Sequence, residues 1–160
     1  MLIVTDDLVT EAHLLLEERA HVQPWSRNTF RQSTGAGYVL RSLYVLRRQQ
    51  PKLLGYYVIH SVLDEVTLMN IAVDPDVQRQ GIGRLLMADL VAHCSSLQGE
   101  LEATIFLDVR ETNNAAIQLY RAFGFEEVGK RAGYYPAQIQ GESPETAIVM
   151  ARYPTNTITP

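Results

Sequence analysis

The sequence predicts a single-domain α/β protein built on a mixed sheet, and three observations lead to this fold class. The chain of 160 residues has the length of one domain, and a hydrophobic content of 46% is enough for a buried core. Helical and strand periodicities follow in the order strand, two helices, three strands, helix, strand, helix, two strands. The alternation in the middle predicts a short parallel section inside a mostly antiparallel sheet of about seven strands, flanked on both faces by about four helices.

The elements before residue 75 follow from local patterns. The segment DDLVTEAHLLLEERA predicts an amphipathic helix with acids in its first turn, and a second, short helix is expected from Ser26. Strands are predicted in GYVLRSLYVLR, KLLGYYVIHSVLD and EVTLMNIAVD, the last of which is ended by Pro75. The first helix is expected to bury its apolar positions, Leu8, Ala12, Leu15 and Leu16.

A long helix and a strand are predicted next. The helix runs from Gly83 to about Leu97, because its apolar residues recur at helical spacing. In the strand EATIFLDVR side chains alternate, so Phe106 and Asp108 point away from the face formed by the apolar residues between them. The apolar positions are Leu86, Met87, Leu90, Val91, Cys94 and Leu97 in the helix and Ile105, Leu107 and Val109 in the strand.

The last predicted helix is capped by Thr112 or Asn113 and ends at Gly124 in the usual left-handed cap. FEEVGKRAGYY and ETAIVMARY then predict two antiparallel strands. We expect residues 1–152 to form the domain and residues 153–160 to be a polar C-terminal tail. The apolar stripe of the helix is Ala116, Leu119, Tyr120 and Phe123.

Composition disfavours several classes of protein. A formal charge of -4, from 14 basic and 18 acidic residues, disfavours direct binding of nucleic acid. The single cysteine, Cys94, excludes an internal disulfide, and no His/Cys cluster has metal-ligand spacing, so no metal site is predicted. No apolar run reaches the ~18 residues of a membrane span, and the N-terminus has acids where a signal peptide has bases. A cytoplasmic protein without membrane association is expected. The sequence does not specify its oligomeric state.

The turn DVQRQGIG, from Asp76 to Gly83, is the most informative segment. Gly81 and Gly83 let the backbone approach a ligand, and the helix that follows offers unpaired N–H groups and a positive dipole end. A phosphate group is the expected ligand, to which Arg79 and Arg84 add charge. Neither Gly-Lys-Ser/Thr nor a third glycine is present, which argues against a P-loop and a dinucleotide fingerprint. The alternative is a tight turn in which the glycines serve geometry alone.

Three separated motifs resemble one known family. The turn QRQGIG resembles the acetyl-CoA motif of the GCN5-related N-acetyltransferases (GNAT). The longer segment NIAVDPDVQRQGIG is similar to its form in the RimI-type enzymes, which acetylate the N-terminal alanine of a ribosomal protein. The segments RAHVQPWSRNTF, VRETNNAAIQLYRAFGFEEVGKRAGYYP and AIVMA resemble further parts of that subgroup. The resemblance covers about residues 8–151 and implies the GNAT fold, in which the central parallel strands splay apart.

The resemblance implies acetyl-CoA as the acetyl donor. The backbone N–H groups of the glycine turn would hold its pyrophosphate, and the preceding strand would pair with its pantetheine arm. One N–H group of that strand would stabilise the oxyanion that forms during transfer. The implied cofactor-binding residues are Arg79, Gln80, Gly81, Ile82, Gly83 and Arg84 in the turn, Ile71, Ala72 and Val73 in the strand, and Asn113.

The resemblance also implies two catalytic residues. The reaction needs them because an α-amino group of pKa ~8 is mostly protonated at neutral pH and the leaving thiolate needs a proton. Tyr120 matches the general acid of the RimI-type enzymes, although its stripe alone predicts an ordinary core tyrosine. Asp108 stands where they have the catalytic glutamate and is roughly 1.5 Å shorter, so relay through a water is an alternative to direct contact with the amine. Taken alone, Asp108 is equally a strand acid that is paired with a base such as Arg110 or solvated at the strand end.

Three aromatic residues complete the candidates for the substrate site. Trp25 belongs to the PWS segment that lines the acceptor site in the subgroup, and is alternatively a packing anchor. Tyr134 and Tyr135 either cover the substrate or end a strand. The implied function is direct acetyl transfer, without an acyl-enzyme, to the N-terminal alanine of a small-subunit ribosomal protein. Two alternatives stay open: a GNAT enzyme for another peptide or a small amine, and a non-catalytic acetyl-CoA-binding module.

Overall fold

The computed structural model describes residues 1–97 and 103–155, and within them the predicted order of elements is confirmed. Predictions for Glu102 and for residues 156–160 of the tail lie outside this part of the chain. The strands are β1 Leu2–Asp6, β2 Tyr38–Arg47, β3 Gln50–Val62, β4 Glu65–Val73, β5 Thr104–Arg110, β6 Glu126–Tyr135 and β7 Glu145–Arg152. The helices are α1 Glu11–Ala20, α2 Arg27–Gln32, α3 Ile82–Leu97 and α4 Asn114–Ala122, with a 3₁₀ turn at Pro75–Val77.

The seven strands form one mixed sheet that splits at its centre. Its order is β1-β2-β3-β4-β5-β7-β6, and β4 and β5 are the parallel neighbours. They pair only between Glu65–Leu68 and the first four residues of β5, and both strands then continue without pairing to each other. Met69, which follows Leu68, is a bulge residue without a partner on β3, so the bend of β4 coincides with the split. The predicted mixed sheet with a splayed parallel pair is confirmed.

Helices cover both faces of the sheet because side chains alternate along its strands. Tyr57 and Ile59 of β3 pack in a core with α3 and α4. Tyr56 and Val58 point to the opposite face, where they pack against α1 and α2. Among the described residues, no helix combines the length and apolar character needed to cross a membrane.

The predicted buried face of α1 was wrong. Its buried residues are His13, Leu14, Leu16 and Glu17, so Leu16 is the one predicted position that is buried. The helix begins at Glu11, and Leu8 lies before it with 73% of its surface exposed. His13 and Glu17 are tolerated inside because both are hydrogen-bonded, and hydropathy alone therefore places the face incorrectly. The predicted positions that are exposed are Leu8, Ala12 and Leu15.

The later elements follow the predicted patterns. Asp108 and Phe106 lie opposite the buried face of β5, as predicted. Asn113 caps α4 by accepting a hydrogen bond from the backbone N–H of Ala116 at 3.2 Å, and Gly124 ends it with φ of +84°. The buried residues of the α3 stripe are Leu86, Met87, Leu90 and Cys94, whereas Val91 is half-buried and the side chain of Leu97 is outside the described part.

Candidate active site

A cleft of about 920 Å³ opens where β4 and β5 separate. Its walls come from both strands, the loop between α1 and α2, the glycine turn, α4 and the end of β6. The cleft therefore brings together the central motif and the N-terminal and C-terminal segments that the sequence singled out. The predicted site residues that line it are Trp25, Ile71, Ala72, Val73, Arg79, Gly83, Asp108, Asn113, Tyr120, Tyr134 and Tyr135.

The end of β4 presents an open strand edge to this cleft. Residues Ile71–Val73 pair with β3 on one side only, because β4 and β5 stop pairing at Leu68. Along a strand, backbone N–H and C=O groups alternate between its two edges. Some of these groups at Ile71–Val73 therefore face the cleft and can pair with an extended ligand in the manner of an added strand.

The glycine turn has the backbone geometry that an anion site at the start of α3 requires. Arg79 and Gly81 have φ values of 63° and 85°, and the carbonyl of Gly81 accepts the hydrogen bond from the N–H of Leu85 at 3.1 Å. Gly81 is thus the N-terminal cap, and the N–H groups of the next three residues have no acceptor within the helix. These N–H groups and the positive end of the helix dipole favour a phosphate.

Not every predicted residue of this turn lines the cleft. Arg79 and Gly83 line the cleft, whereas Gln80, Gly81, Ile82 and Arg84 lie outside its wall. Ile82 is 3% exposed and belongs to the core, so only its backbone is available to a ligand. The guanidinium of Arg84 lies 5.7 Å from the centroid of the Phe123 ring. The turn therefore offers mainly backbone groups and the side chain of Arg79.

Asp74 holds the start of the glycine turn in place. This carboxylate is 2% exposed, and it accepts a hydrogen bond from the N–H of Asp76 at 3.0 Å. Its oxygens also lie 3.3 Å from Lys52 Nζ and from an Arg19 nitrogen. Burial works to raise the pKa of Asp74, but the Asp76 N–H and the two cations outweigh it and lower the pKa. Asp74 therefore stays charged and anchors the start of the glycine turn.

Asp108 is placed in the cleft but not with the base suggested by the sequence. Its side chain is 28% exposed, and Arg131 Nη1 of β6 donates a hydrogen bond to its Oδ2 at 2.9 Å. The Arg131 guanidinium in turn lies 3.8 Å from the centroid of the Tyr134 ring. The expected partner Arg110 instead binds Glu145 at 3.1 Å, so the Arg110 pairing was wrong. Asp108 and Arg110 lie on the same face of β5, but each binds an oppositely charged side chain of another strand, Arg131 of β6 and Glu145 of β7, respectively.

Tyr120 is both a core residue and a residue of the cleft. It is 7% exposed, packs against Phe125 with ring centroids 6.0 Å apart, and lines the cleft from α4. Burial raises the pKa of its hydroxyl, and the nearby Tyr135 raises it further. The hydroxyl is therefore protonated through the neutral range and is available as a donor.

The loop after α1 and the loop after β6 meet across the cleft. Gln23 Nε2 donates to the carbonyl of Ala137 at 3.1 Å, and Arg110 Nη2 donates to Gln23 Oε1 at 2.8 Å. Arg110 also lies 4.4 Å from the centroid of the Tyr135 ring. Trp25 also lines the cleft and packs edge-on against Phe30 with centroids 5.8 Å apart, so it is a packing anchor, and its role toward an acceptor stays a prediction.

Sequence reasoning missed a polar cluster on this side of the cleft. Glu17 is 2% exposed and accepts hydrogen bonds from the Trp25 backbone N–H at 2.8 Å and Asn70 Nδ2 at 3.0 Å. His21 follows it by one helical turn, and all these residues line the cleft. The available signal was the spacing of Glu17 and His21, which places them on one helix face directly before the PWS segment.

The described residues contain no group of three or more His, Cys, Asp or Glu that could hold a metal ion. Cys94 is 1% exposed, and burial raises the pKa of its thiol to about 12. Cys94 is therefore a core residue, as the sequence predicted.

Comparison with known proteins assigns the family. The family model described as "Acetyltransferase (GNAT) family" matches residues 9–125. The chain belongs to the GNAT family. Two curated relatives of this GNAT protein are named as [ribosomal protein bS18]-alanine N-acetyltransferases. The one from Escherichia coli K12 is 43% identical over 147 residues, 92% of this chain and 91% of that protein. The one from Haemophilus influenzae is 38% identical over 138 residues, 86% and 88% of the two chains.

A solved structure agrees with this assignment. The crystal structure of the ribosomal-protein-S18-alanine N-acetyltransferase from Escherichia coli matches the GNAT protein with a TM-score of 0.77 at 39% identity. The match covers 96% of this chain and 94% of that chain. The family resemblance and the fold class predicted from the sequence are therefore confirmed.

Proposed function

We propose that this GNAT protein is an acetyl-CoA-dependent N-terminal acetyltransferase and that its acceptor is the N-terminal alanine of a small-subunit ribosomal protein. The observation that carries the proposal is the similarity to the Escherichia coli enzyme, which extends over nearly the whole of both chains. The acceptor would be met in the cytoplasm. The two ends of the cleft are lined by different kinds of groups, which supports a reaction between two different molecules.

One end of the cleft fits acetyl-CoA. The N–H groups before and within the first turn of α3 suit a pyrophosphate, and Arg79 adds a positive charge beside them. The open edge of Ile71–Val73 suits the amide-containing pantetheine arm, and Asn113 lies at the same cleft. Acetyl-CoA, when bound, supplies the acetyl group as a thioester. A backbone N–H of Ile71–Val73 would stabilise the negative charge that develops on the carbonyl oxygen.

Asp108 and Tyr120 are the proposed proton-handling residues. Asp108 keeps one carboxylate oxygen that is not bonded to Arg131, and this oxygen would hold the incoming amine directly or through a water. Tyr120 would donate its proton, which burial retains on the hydroxyl, toward the departing thiolate. Attack by the amine is direct because the thiol of Cys94 is buried away from the cleft in the core.

The other end of the cleft fits a peptide N-terminus. Trp25, Tyr134 and Tyr135 surround it with aromatic surface, and the Gln23–Ala137 hydrogen bond limits its width. A narrow aromatic opening favours an extended chain end over a folded protein surface. This arrangement supports an acceptor that enters by its terminal amine.

The test is a panel of acceptors offered to the purified protein with acetyl-CoA. The panel contains matched peptides starting with alanine or serine in the ribosomal sequence context and a small amine metabolite. The proposal predicts the highest kcat/KM for the alanine peptide. A preference for the small amine would favour another GNAT activity, and acetyl-CoA binding without transfer to any acceptor would favour a binding module.

A further inference from the structure

Arg131 connects β6 to β5 across the strand β7 that lies between them. In the register of the sheet, Arg131 of β6 and Arg110 of β5 both pair with Ala147 of β7, so the three side chains form one row on the same face. Asp108 lies in the next row on that face, opposite Val149. The guanidinium of Arg131 crosses β7 over the small Ala147 side chain, and its Nη1 donates to Asp108 Oδ2 at 2.9 Å.

Aromatic rings hold Arg131 from a second side. Its Cζ lies 3.8 Å from the centroid of the Tyr134 ring, and Tyr134 meets Tyr135 edge-on with centroids 5.0 Å apart. Stacking of a guanidinium on an aromatic face restricts the positions that the side chain samples. The ion pair between Arg131 and Asp108 is therefore more ordered than an isolated pair of exposed side chains.

Asp108 is the carboxylate of the cleft that is open to a ligand. Of the acidic residues that the structure describes, Glu17 and Asp108 line the cleft. Glu17 is buried and both its oxygens accept hydrogen bonds from the chain, whereas the Asp108 side chain is 28% exposed. Oδ1 of Asp108 accepts no hydrogen bond from the described residues. An amine that enters the cleft therefore meets one accessible carboxylate, and this carboxylate has Arg131 as its counter-ion.

The charge beside an acceptor amine decides the form in which the amine binds. An α-amino group of pKa ~8 is mostly an ammonium at neutral pH, and only the uncharged amine has the lone pair that attacks a carbonyl carbon. A carboxylate without a counter-ion favours the ammonium and raises the pKa of a bound amine, at a partly exposed site by about 1. A carboxylate paired with a guanidinium still accepts hydrogen bonds but favours the ammonium much less.

We propose that Arg131 offsets the charge of Asp108, so that the cleft takes the acceptor amine in its uncharged, nucleophilic form. The inference rests on the proposed acetyltransferase function, and Arg131 acts on the amine only through Asp108. The ammonium loses one proton to solvent before the attack. When the C–N bond forms, the nitrogen loses a second proton to Asp108, and the C–S bond breaks as Tyr120 protonates the thiolate. Asp108 and Tyr120 return to their starting states by proton exchange with water.

The other titratable groups near the pair do not change between wild type and an Arg131 variant. Besides Tyr134 and Tyr135, those that line the cleft are Glu17, His21, Arg79, Arg110 and Tyr120. Glu145 of β7 is paired with Arg110 at 3.1 Å. Burial, together with the charge of Asp108, raises the pKa of Tyr135 to about 12, and burial also raises the pKa of Tyr120. A difference between the pH profiles of the two proteins therefore reports on the Asp108–Arg131 pair.

The test measures kcat and KM for the alanine peptide between about pH 6 and about pH 9.5, at saturating acetyl-CoA. In Arg131→Gln, the pH at which kcat reaches half its upper limit is expected to rise by about one unit, because the unpaired carboxylate retains the ammonium. At neutral pH, kcat and KM for the peptide should both fall roughly five- to tenfold. The ratio kcat/KM should stay within about twofold of wild type, because it reports on the free enzyme and the free amine.

Two further variants separate the charge of Arg131 from its shape. Lys130→Gln removes the neighbouring cation of β6, which is paired with Glu127 at 4.0 Å and lies outside the cleft, so its profile should equal that of wild type. Arg131→Lys keeps the positive charge but not the planar stack on Tyr134. It is expected to restore kcat and KM to within about twofold of wild type. An Arg131→Lys profile that matches Arg131→Gln would overturn the argument from charge.

The inference and the proposed function fail in different ways. Absence of transfer by wild type overturns the proposed function itself. Normal transfer by wild type, with a half-maximal pH and a peptide KM in Arg131→Gln equal to those of wild type, overturns the role of Arg131. A fall in kcat/KM at an unchanged half-maximal pH also overturns it, because the ion pair would then only support the local structure. Arg131 is half-exposed, so the variant is expected to fold, and Arg131→Met takes its place in the comparison if a melting experiment shows otherwise.

Discussion

Gly55 of β3 lies where a side chain would disturb both the packing of the sheet and the proposed acetyl-CoA site. A Cβ atom at Gly55 would lie 2.7 Å from the carbonyl oxygen of Ala72 and 3.0 Å from Leu86 Cδ1. The first contact is with backbone, which cannot rotate away, so Gly55→Ala must push β3 and β4 apart. Overpacking of this kind costs about 1–3 kcal/mol, which for a chain of this size corresponds to a fall in Tm of roughly 2–12 °C.

The same displacement moves a residue of the proposed acetyl-CoA edge. Gly55→Ala is therefore expected to weaken acetyl-CoA binding, measured by titration calorimetry, in addition to lowering Tm. Gly129→Ala is the matched control in β6, because a Cβ there meets no atom within 4 Å. Its Tm should equal or slightly exceed that of wild type. A Gly55→Ala protein with the Tm and acetyl-CoA affinity of wild type would refute the argument that this close approach is required.

Three further predictions concern the turn, the proposed acid and a buried histidine. Gly81→Ala should lower Tm through backbone strain of about 1–2 kcal/mol, since φ is +85° and no atom is near enough to clash; an unchanged Tm would contradict this. Tyr120→Phe should lower kcat at every pH below 10 without changing the shape of the profile, because burial raises the pKa of the hydroxyl; wild-type kcat in this variant would remove Tyr120 as a donor. Burial lowers the pKa of His13, so the unfolded state binds more protons and the free energy of unfolding should fall as the pH decreases through ~6.5. Urea unfolding at several pH values should show that the free energy of unfolding depends less on pH in His13→Asn than in wild type. Part of the dependence should remain, because burial also lowers the pKa of His93. An identical pH dependence in variant and wild type would exclude His13 as its source.

Sequence pattern predicted the strands and later helices because their burial follows simple periods. In β5 every second residue is buried, so the outward direction of Asp108 could be predicted from alternation alone. The buried face of α1 could not be predicted in this way, because the buried Glu17 finds its hydrogen-bond partners on strands. One of them is Asn70, which lies 53 positions away. A polar residue that satisfies its hydrogen bonds through distant partners has the same local pattern as an exposed one.

The residues of the candidate site could be predicted from the sequence, but the contacts between their side chains could not. The motifs and their family resemblance identified the open edge of β4 and the glycine turn, whereas the bulge at Met69 that accompanies the split gives no sequence signal. The partner of Asp108 was also beyond local reasoning, since Arg131 comes from β6, across the sheet. Strand order decides such contacts, and it depends on the packing of the whole domain.

The central claim is acetyl transfer to a protein N-terminus, and position-resolved mass spectrometry tests it most directly. The assay incubates the GNAT protein and acetyl-CoA with a small-subunit ribosomal protein that begins with alanine, and fragmentation then locates any acetyl group. The account predicts one acetyl group on the α-amine of that alanine, formed only when both enzyme and acetyl-CoA are present. Acetylation confined to lysine side chains, or none above the enzyme-free control, would contradict it.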